Sequence, residues 1–260
     1  MASSAEFVEL RDHTAVGWVH RDFAALGLQP FLAPLAPLPD AKGRGGVGIL
    51  TVADRELVVR PYRRGGAFGA LLRDRYAGPG RVRDELQVLT ALRDEGVPVV
   101  APVAAIAVRH GAFWRLRLCT ERVVGALPLP AFLAAQPGLR RSTATAVGTV
   151  VRLAFGAGLL HSDLHPDNVL CAVRGSKVRI VLVDLDRARL QRPLPDEKRF
   201  AMLSRMQRYV LRHAARLPTL PSRGETMRCL RAIVADRGIR HALWRRLARE
   251  LAKVRARRAE

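Results

Sequence analysis

Lysine is nearly missing from the basic residues of this chain. Of 44 Lys and Arg residues, only Lys42, Lys177, Lys198 and Lys253 are lysine. Acidic residues are few as well: 23 Asp and Glu leave a formal net charge of +21. Such a chain is drawn to polyanions, whether nucleic acid, nucleotides or an anionic membrane surface, and charge alone does not choose among them. An Arg-, Ala- and Gly-rich composition also follows from GC-rich coding, so a single arginine carries little information. There are three cysteines, Cys119, Cys171 and Cys229, far apart and without a C-x-x-C pair. That excludes a disulfide scaffold and a structural zinc site of the usual spacing. Aromatic residues make up only 5%. With no stacking platform and no recognition motif, no specific nucleic-acid partner is expected. A long apolar run is missing too. The stretch Ala144 to Leu160 is interrupted by Arg152, Gly148, Gly156 and Gly158, a poor membrane span. The first ten residues carry Glu6 and Glu9 and no apolar core of a signal peptide, which points to the cytoplasm.

What is present is a chain of 260 residues, 49% hydrophobic, ample for a sizeable core. Residues 1–40, with Pro34, Pro37 and Pro39 near their end, read as an irregular lead-in. Two β-rich runs follow, Ile49 to Val52 and Leu57 to Arg60, joined by the polar turn Asp54-Arg55-Glu56. They predict a hairpin entered through glycines. Val82, Leu86, Leu89 and Leu92 recur at helical spacing, so 81–95 predicts a helix stopped at Gly96. Ala112 to Cys119 predicts a further strand. Beyond about 127 the pattern becomes helical: 139–160, then 197–215, 224–236 and 239–257. Two short strands, Val169 to Val173 and Val178 to Val183, interrupt it. The expected fold class is α+β. The lead-in would be 1–40, a strand-rich N-lobe with one main helix 41–123, and a larger helical C-lobe 124–260 ending in basic helices.

The most specific segment is His161-Ser162-Asp163-Leu164-His165-Pro166-Asp167-Asn168. It fits the H-x-D-L-x-x-x-N catalytic loop of the protein-kinase superfold. The chemistry needs these types at this spacing. A carboxylate, Asp163, accepts the proton of an acceptor hydroxyl, and the amide oxygen of Asn168 turns back to a metal ion on the phosphates. Val183-Asp184-Leu185-Asp186 follows a strand, and Asp184 falls where the metal-binding Asp of D-F-G is expected. Gly43-x-Gly45-x-x-Gly48 is weak alone. A dinucleotide-binding fold would want a helix directly after it, and here a hairpin follows. Glycines there let main-chain amides approach phosphate oxygens. The third-strand basic position is Arg60 rather than Lys. Its expected partner is Glu85, within the apolar stripe of its helix, where a carboxylate meets a desolvation cost unless paired.

At these residues the chain resembles the bacterial lipopolysaccharide kinases, most of all the 3-deoxy-D-manno-octulosonic acid (Kdo) kinases. The resemblance covers roughly 43–215. It rests on Gly43-Arg44-Gly45, Val58-Val59-Arg60-Pro61-Tyr62-Arg63-Arg64-Gly65-Gly66, Asp74-Arg75-Tyr76, Gly96-Val97-Pro98-Val99, the loop His161 to Asn168, and Val183 to Arg187. The Tyr-Arg-Arg-Gly-Gly run discriminates most, because general protein kinases lack it. The resemblance implies a protein-kinase-like bilobal fold, ATP with Mg²⁺, and phosphorylation of a sugar hydroxyl in the lipopolysaccharide inner core. It implies an anionic glycolipid acceptor such as Kdo-lipid A, and work at the cytoplasmic face of the inner membrane.

On this reading Gly43, Gly45, Gly48, Arg60 and Glu85 serve the ATP phosphates. The main chain around Glu121 contacts adenine. Asn168 and Asp184 hold the metal, and Asp163 is catalytic. Arg63 and Arg64 bind the acceptor's carboxylate or phosphates, since Arg forks suit planar oxyanions. His165 either orients Asp163 or touches phosphate. His161 props the loop. Asp186 either joins the metal site or caps the loop. His165 stands where Kdo kinases carry Asn, and it leaves an aminoglycoside- or choline-type kinase as the alternative. Arg60 and Leu185 leave a catalytically silent nucleotide-binding scaffold as another. The last helix carries the stripe Leu243, Trp244, Leu247, Leu251 and Val254 among many arginines. That stripe either packs on the C-lobe or attaches to anionic lipid.

Overall fold

A computed structural model describes residues 6–38, 46–64 and 74–259. The chain divides into two compact units: Met1–Asp94 with Val100–Arg122, and Glu95–Val99 with Val123–Glu260.

The first unit is a seven-stranded antiparallel sheet in the order β1-β2-β6-β7-β5-β4-β3. Its strands are β1 (Phe7–Arg11), β2 (Ala15–His20), β3 (Ala36–Pro37), β4 (Gly48–Val52), β5 (Arg55–Pro61), β6 (Pro102–His110) and β7 (Phe113–Glu121). The expectation of an irregular lead-in over 1–40 is therefore corrected, because the described residues 6–38 supply three strands of this sheet. The turn between β1 and β2 is built by Asp12, whose Oδ1 accepts from Thr14 N at 2.7 Å, Thr14 Oγ1 at 3.0 Å and Ala15 N at 2.7 Å. Such a short side chain makes a local turn without glycine. Pro37 is compatible with a strand because β3 is the sheet's edge. Phe23 and Phe31, carried on 3-10 turns at Arg21–Leu26 and Gln29–Leu32, pack into the core with Leu57, Val59, Ile106 and Cys119. Burial pushes the Cys119 thiol up to about 12, which makes it a packing group and not a nucleophile.

Helix α1 (Gly80–Asp94) buries Val82, Glu85, Leu86, Leu89 and Leu92, a stripe at helical spacing with one carboxylate in it. Gly96 follows with φ +71°, a conformation that stops a helix and suits glycine.

The second unit contains α2 (Leu129–Ala135), α3 (Arg140–Gly156), α4 (Asp196–Arg212), α5 (Arg223–Ile233) and α6 (Arg237–Ala259). A small sheet pairs β10 (Val169–Arg174) with β11 (Lys177–Leu182) and β8 (Leu127–Pro128). A second pairs β9 (Leu159–Leu160) with β12 (Arg189–Leu190). Helices α3 and α5 cross closely at Gly148, where a Cβ would meet the Cys229 carbonyl oxygen at 2.3 Å. Their ends are joined by Arg140, whose Nε and Nη2 bond the two Glu225 oxygens at 2.6 and 2.8 Å. Arg140 Nη1 also donates to Thr219 Oγ1 at 2.7 Å. Ser222 caps α5, and Glu225 closes the capping box. The α6 stripe is partly packed: Leu247 is buried and Leu243, Trp244, Leu251 and Val254 are half-buried, Arg246 bonds Glu197 of α4, and Trp244 lies under the Arg223 guanidinium at 5.7 Å.

Candidate active site

In the first unit, Arg60 leaves β5 toward α1. Its Nη2 lies 2.7 and 2.6 Å from the two oxygens of Glu85, whose side chain is 1% exposed. The expected pair is therefore formed. Tyr62 adds a partner that sequence reasoning missed. Its hydroxyl donates to Glu85 Oε2, and the Arg60 guanidinium stands 4.5 Å above its ring. A buried carboxylate is tolerable when its lone pairs are filled by a cation and a neutral donor together. Tyr76 meets Tyr62 edge-on at 6.3 Å, and Arg81 sits over both rings.

Arg63 and Arg64 have diverged. Arg64 is committed: its Nε bonds the Arg75 carbonyl at 2.8 Å, and its guanidinium covers Tyr76 at 4.9 Å. Arg63 has no carboxylate partner among the described residues, and its Nη2 lies 3.2 Å from where a Gly46 side chain would begin. Gly43 and Gly45, like Gly65 and Gly66, lie outside the described residues. Gly48 is constrained by packing, because a Cβ there would meet Leu35 Cβ at 2.6 Å and the Ala36 carbonyl at 2.7 Å. Glu121 is engaged within its own sheet. Its N–H donates to Ala101 at 2.8 Å, and its carboxylate accepts from Arg55 at 3.1 Å. The next N–H, of Arg122, donates to Glu56 at 3.0 Å.

In the second unit, the segment His161 to Asn168 runs between β9 and β10 and ends in a 3-10 turn, Pro166–Asn168. Asp163 projects outward with its side chain 68% exposed, while Leu164 beside it is buried. Asn168 is buried, and its Nδ2 donates to the Asp163 carbonyl at 3.1 Å. That hydrogen bond assigns the amide's donor end, so its oxygen is the atom left for a cation. The main chain ties the next element in: Val183 N donates to the Asn168 carbonyl at 3.0 Å. Asp184 follows directly, exposed and at φ +56°, and Leu185 after it is fully buried. The buried Leu185 anchors the turn that presents Asp184.

His161 is 1% exposed, and neither ring nitrogen makes a hydrogen bond of ordinary geometry. Burial lowers its pKa, while the Asp184 and Asp163 carboxylates and the Asp186 main chain pull the other way. His161 is thus a neutral wedge lying near both carboxylates. His165 Nε2 lies 3.7 Å from Asp163 Oδ2. Its ring stacks on Tyr209 of α4 at 4.5 Å, with 8° between planes, and His213 stacks on the far side at 4.2 Å. The Tyr209 hydroxyl donates to Asp167. Burial first, then the bond to Asp167, raises the Tyr209 pKa, so it stays a neutral donor. Tyr209 was missed in the sequence because 42 residues separate it from Asp167.

No cluster of three or more His, Cys, Asp or Glu suited to a metal occurs among the described residues. Asn168 and Asp184 still fit a divalent cation of the Mg²⁺ kind. Such an ion takes one or two protein oxygens and draws its other ligands from phosphates and water.

In one unit a strand arginine holds a helix glutamate. In the other, an aspartate and an asparagine five residues on share a loop tied to a second aspartate. This is the arrangement of a protein-kinase-like fold. The structure of WaaP in complex with acyl carrier protein has that fold too: TM-score 0.60, 20% identity, over 92% of this chain and 91% of that one. The family model described as "Lipopolysaccharide kinase (Kdo/WaaP) family" matches residues 33–228, and the chain belongs to that family. It is similar to the 3-deoxy-D-manno-octulosonic acid kinase of Vibrio parahaemolyticus serotype O3:K6, 33% identical over 155 residues. That match spans 58% of this chain and 63% of the relative. The protein of the same name from Photobacterium profundum is 34% identical over 58% of this chain and 64% of its own. That from Vibrio cholerae is 30% identical over 66% of this chain and 72% of its own. The first two matches thus span less than two thirds of those relatives' length.

Proposed function

We propose that this chain is an ATP-dependent kinase that phosphorylates a sugar hydroxyl, with Kdo in the lipopolysaccharide inner core, presented as Kdo-lipid A, as the acceptor. The observation that carries the reading is the loop geometry. Asp163 is the exposed carboxylate, and its carbonyl is held by the same Asn168 whose oxygen is left for a cation. Asp163 orients the acceptor hydroxyl and takes its proton as the new oxygen–phosphorus bond forms and the bond from the γ-phosphorus to the β–γ bridging oxygen breaks, with ADP as the leaving group. His165, 3.7 Å away, steers that carboxylate. Arg60, fixed by Glu85, contacts the ATP phosphates. Gly43 and Gly45 are proposed to do so through their amides. With the N–H groups of Glu121 and Arg122 engaged, the N–H of Val123 is the donor for adenine. Asn168 and Asp184 would hold Mg²⁺, whose charge would offset that of the phosphate oxygens. Most of the rate comes from positioning and charge neutralisation.

The acceptor is an anion, and Arg63 suits its carboxylate or phosphates because nothing described competes for that guanidinium. Pro166 of the loop also forms part of the wall of an apolar cavity of about 130 Å³, with Leu133, Val147, Val210 and Leu230. That supports an acylated acceptor. An acyl chain delivered by a carrier is the second candidate for the cavity, since the similar WaaP structure holds an acyl carrier protein. Mass spectrometry of the purified protein separates the two. No helix among the described residues is long and apolar enough to cross a membrane. We place the work at the cytoplasmic face of the inner membrane, with peripheral contact through the chain's positive charge.

The test is transfer of labelled phosphate from ATP to Kdo-bearing lipid A, with Kdo-free lipid A and an aminoglycoside alongside. Transfer only to the Kdo-bearing lipid supports the reading. Transfer to the aminoglycoside instead would move the assignment to that class of kinase. Tight ATP binding with no transfer to any acceptor would favour a silent scaffold.

A further inference from the structure

An open pocket of about 360 Å³ lies in the first unit, at the β1–β2 end of the sheet beside the start of α1. The chain has three tryptophans, and two of them, Trp18 on β2 and Trp114 on β7, line it. Both are half-buried, which leaves part of each ring accessible. Each has an arginine over its face: Arg83 at 5.8 Å from the Trp18 ring, Arg109 at 5.9 Å from the Trp114 ring.

The charges around the pocket are unevenly committed. Glu9 accepts from Trp18 Nε1 at 3.0 Å and from Arg11 Nε at 2.6 Å. Asp12 is used by the turn it builds. Arg83 and Arg109 have no carboxylate partner among the described residues, and Arg109 spends only its Nε, on the Gly111 carbonyl at 3.4 Å. The pocket therefore offers two half-exposed indoles, each with a guanidinium over one face and no carboxylate partner for it among the described residues, while Glu9 is paired with Arg11 and Asp12 Oδ1 is taken by its turn. Indole faces suit the apolar C–H face of a pyranose ring. Guanidinium forks suit a carboxylate or phosphate. Together they specify a sugar that carries a negative charge.

The pocket is separate from the phosphate-binding pair. Arg83 and Glu85 are two residues apart on α1, about 200° around the helix. Glu85 is buried toward Arg60, and Arg83 is exposed. We propose that this pocket is a second binding site for a carboxylated or phosphorylated saccharide, distinct from the site of phosphate transfer. The proposal does not depend on the catalytic reading.

The test uses the full chain carrying Trp244→Phe, so that Trp18 and Trp114 are the only indole emitters. Kdo, glucose 6-phosphate, glucose and inorganic phosphate are titrated in turn, and tryptophan fluorescence is read. A saturable response to either charged sugar, at least tenfold weaker in Arg83→Gln/Arg109→Gln, is expected. Glucose and inorganic phosphate should give much less. Both arginines are exposed, so the double variant should fold, and circular dichroism checks it. No saturable response, an unchanged response in the double variant, or an equal response to inorganic phosphate would overturn the proposal. Asp163→Ala should leave this binding unchanged even where phosphate transfer is lost, which keeps this result apart from that of the catalytic assignment.

Discussion

At the scale of single residues, the pairing of Arg60 with Glu85 decides the most. Glu85 is buried in an apolar stripe, and removing its cation strands a charge. Arg60→Met should destabilise the chain by about 3–5 kcal/mol, as breakage of buried pairs does. Arg60→Lys should recover part of that, because it keeps the charge but not the fork. Urea denaturation checks both. Tyr209→Phe keeps the stack on His165 and removes the bond to Asp167. It should lower kcat severalfold with little change in the KM for ATP and little loss of stability. Steady-state kinetics and a melting curve separate that from a merely structural role. The Glu85 pairing was legible in the sequence, because a carboxylate in a helical apolar stripe asks for a partner. Tyr62 and Tyr209 were not legible, since each acts on a residue 23 or 42 positions away and nothing local marks it. Arg63 and Arg64 read alike as neighbours; only the fold shows that Arg64 is taken by Arg75.

At the scale of elements, the helices other than α2 and the β4–β5 and β10–β11 hairpins were legible from periodicity and turns, while Leu159–Leu160, expected at the end of the 139–160 helix, form β9. The first forty residues were not. Their prolines suggested irregular chain, while the Asp12 turn between two short β-rich runs was the signal passed over. The sheet accepts Pro37 because it lies on the edge, a fact of topology that no local pattern carries. Two contacts between α3 and α5 give testable numbers. Gly148→Ala forces a methyl against the Cys229 carbonyl and should cost about 1–3 kcal/mol, as overpacking does. Arg140 pulls the Glu225 carboxyl down to about 2, below its ordinary 4.5. The stability from that pair is complete above the ordinary value and is lost as pH falls from there toward 2. The loss should be on the order of 3 kcal/mol, and Glu225→Gln should flatten the melting temperature across that range.

At the scale of the whole molecule, the charge of +21 and the packed C-terminal helix act differently on a membrane. Leu247 is buried, while Leu243, Trp244, Leu251 and Val254 are half-buried, so part of the apolar stripe is committed to packing. Attraction to anionic lipid then rests on exposed cations such as Arg245 and Arg249. Vesicle sedimentation should require anionic lipid and fall steeply between about 0.05 and 0.5 M salt, where screening shortens the reach of surface charge. Binding that survives high salt would instead point to an inserted apolar face. The central claim is that Asp163 takes the acceptor's proton in a loop whose fold does not depend on it. The most direct measurement is single-turnover phosphate transfer to Kdo-lipid A by the wild type and by Asp163→Asn, with ATP affinity measured on both. A rate loss of about 10²–10⁴ with ATP affinity unchanged is predicted, the size expected for a lost general base. Near wild-type turnover in Asp163→Asn would contradict the account.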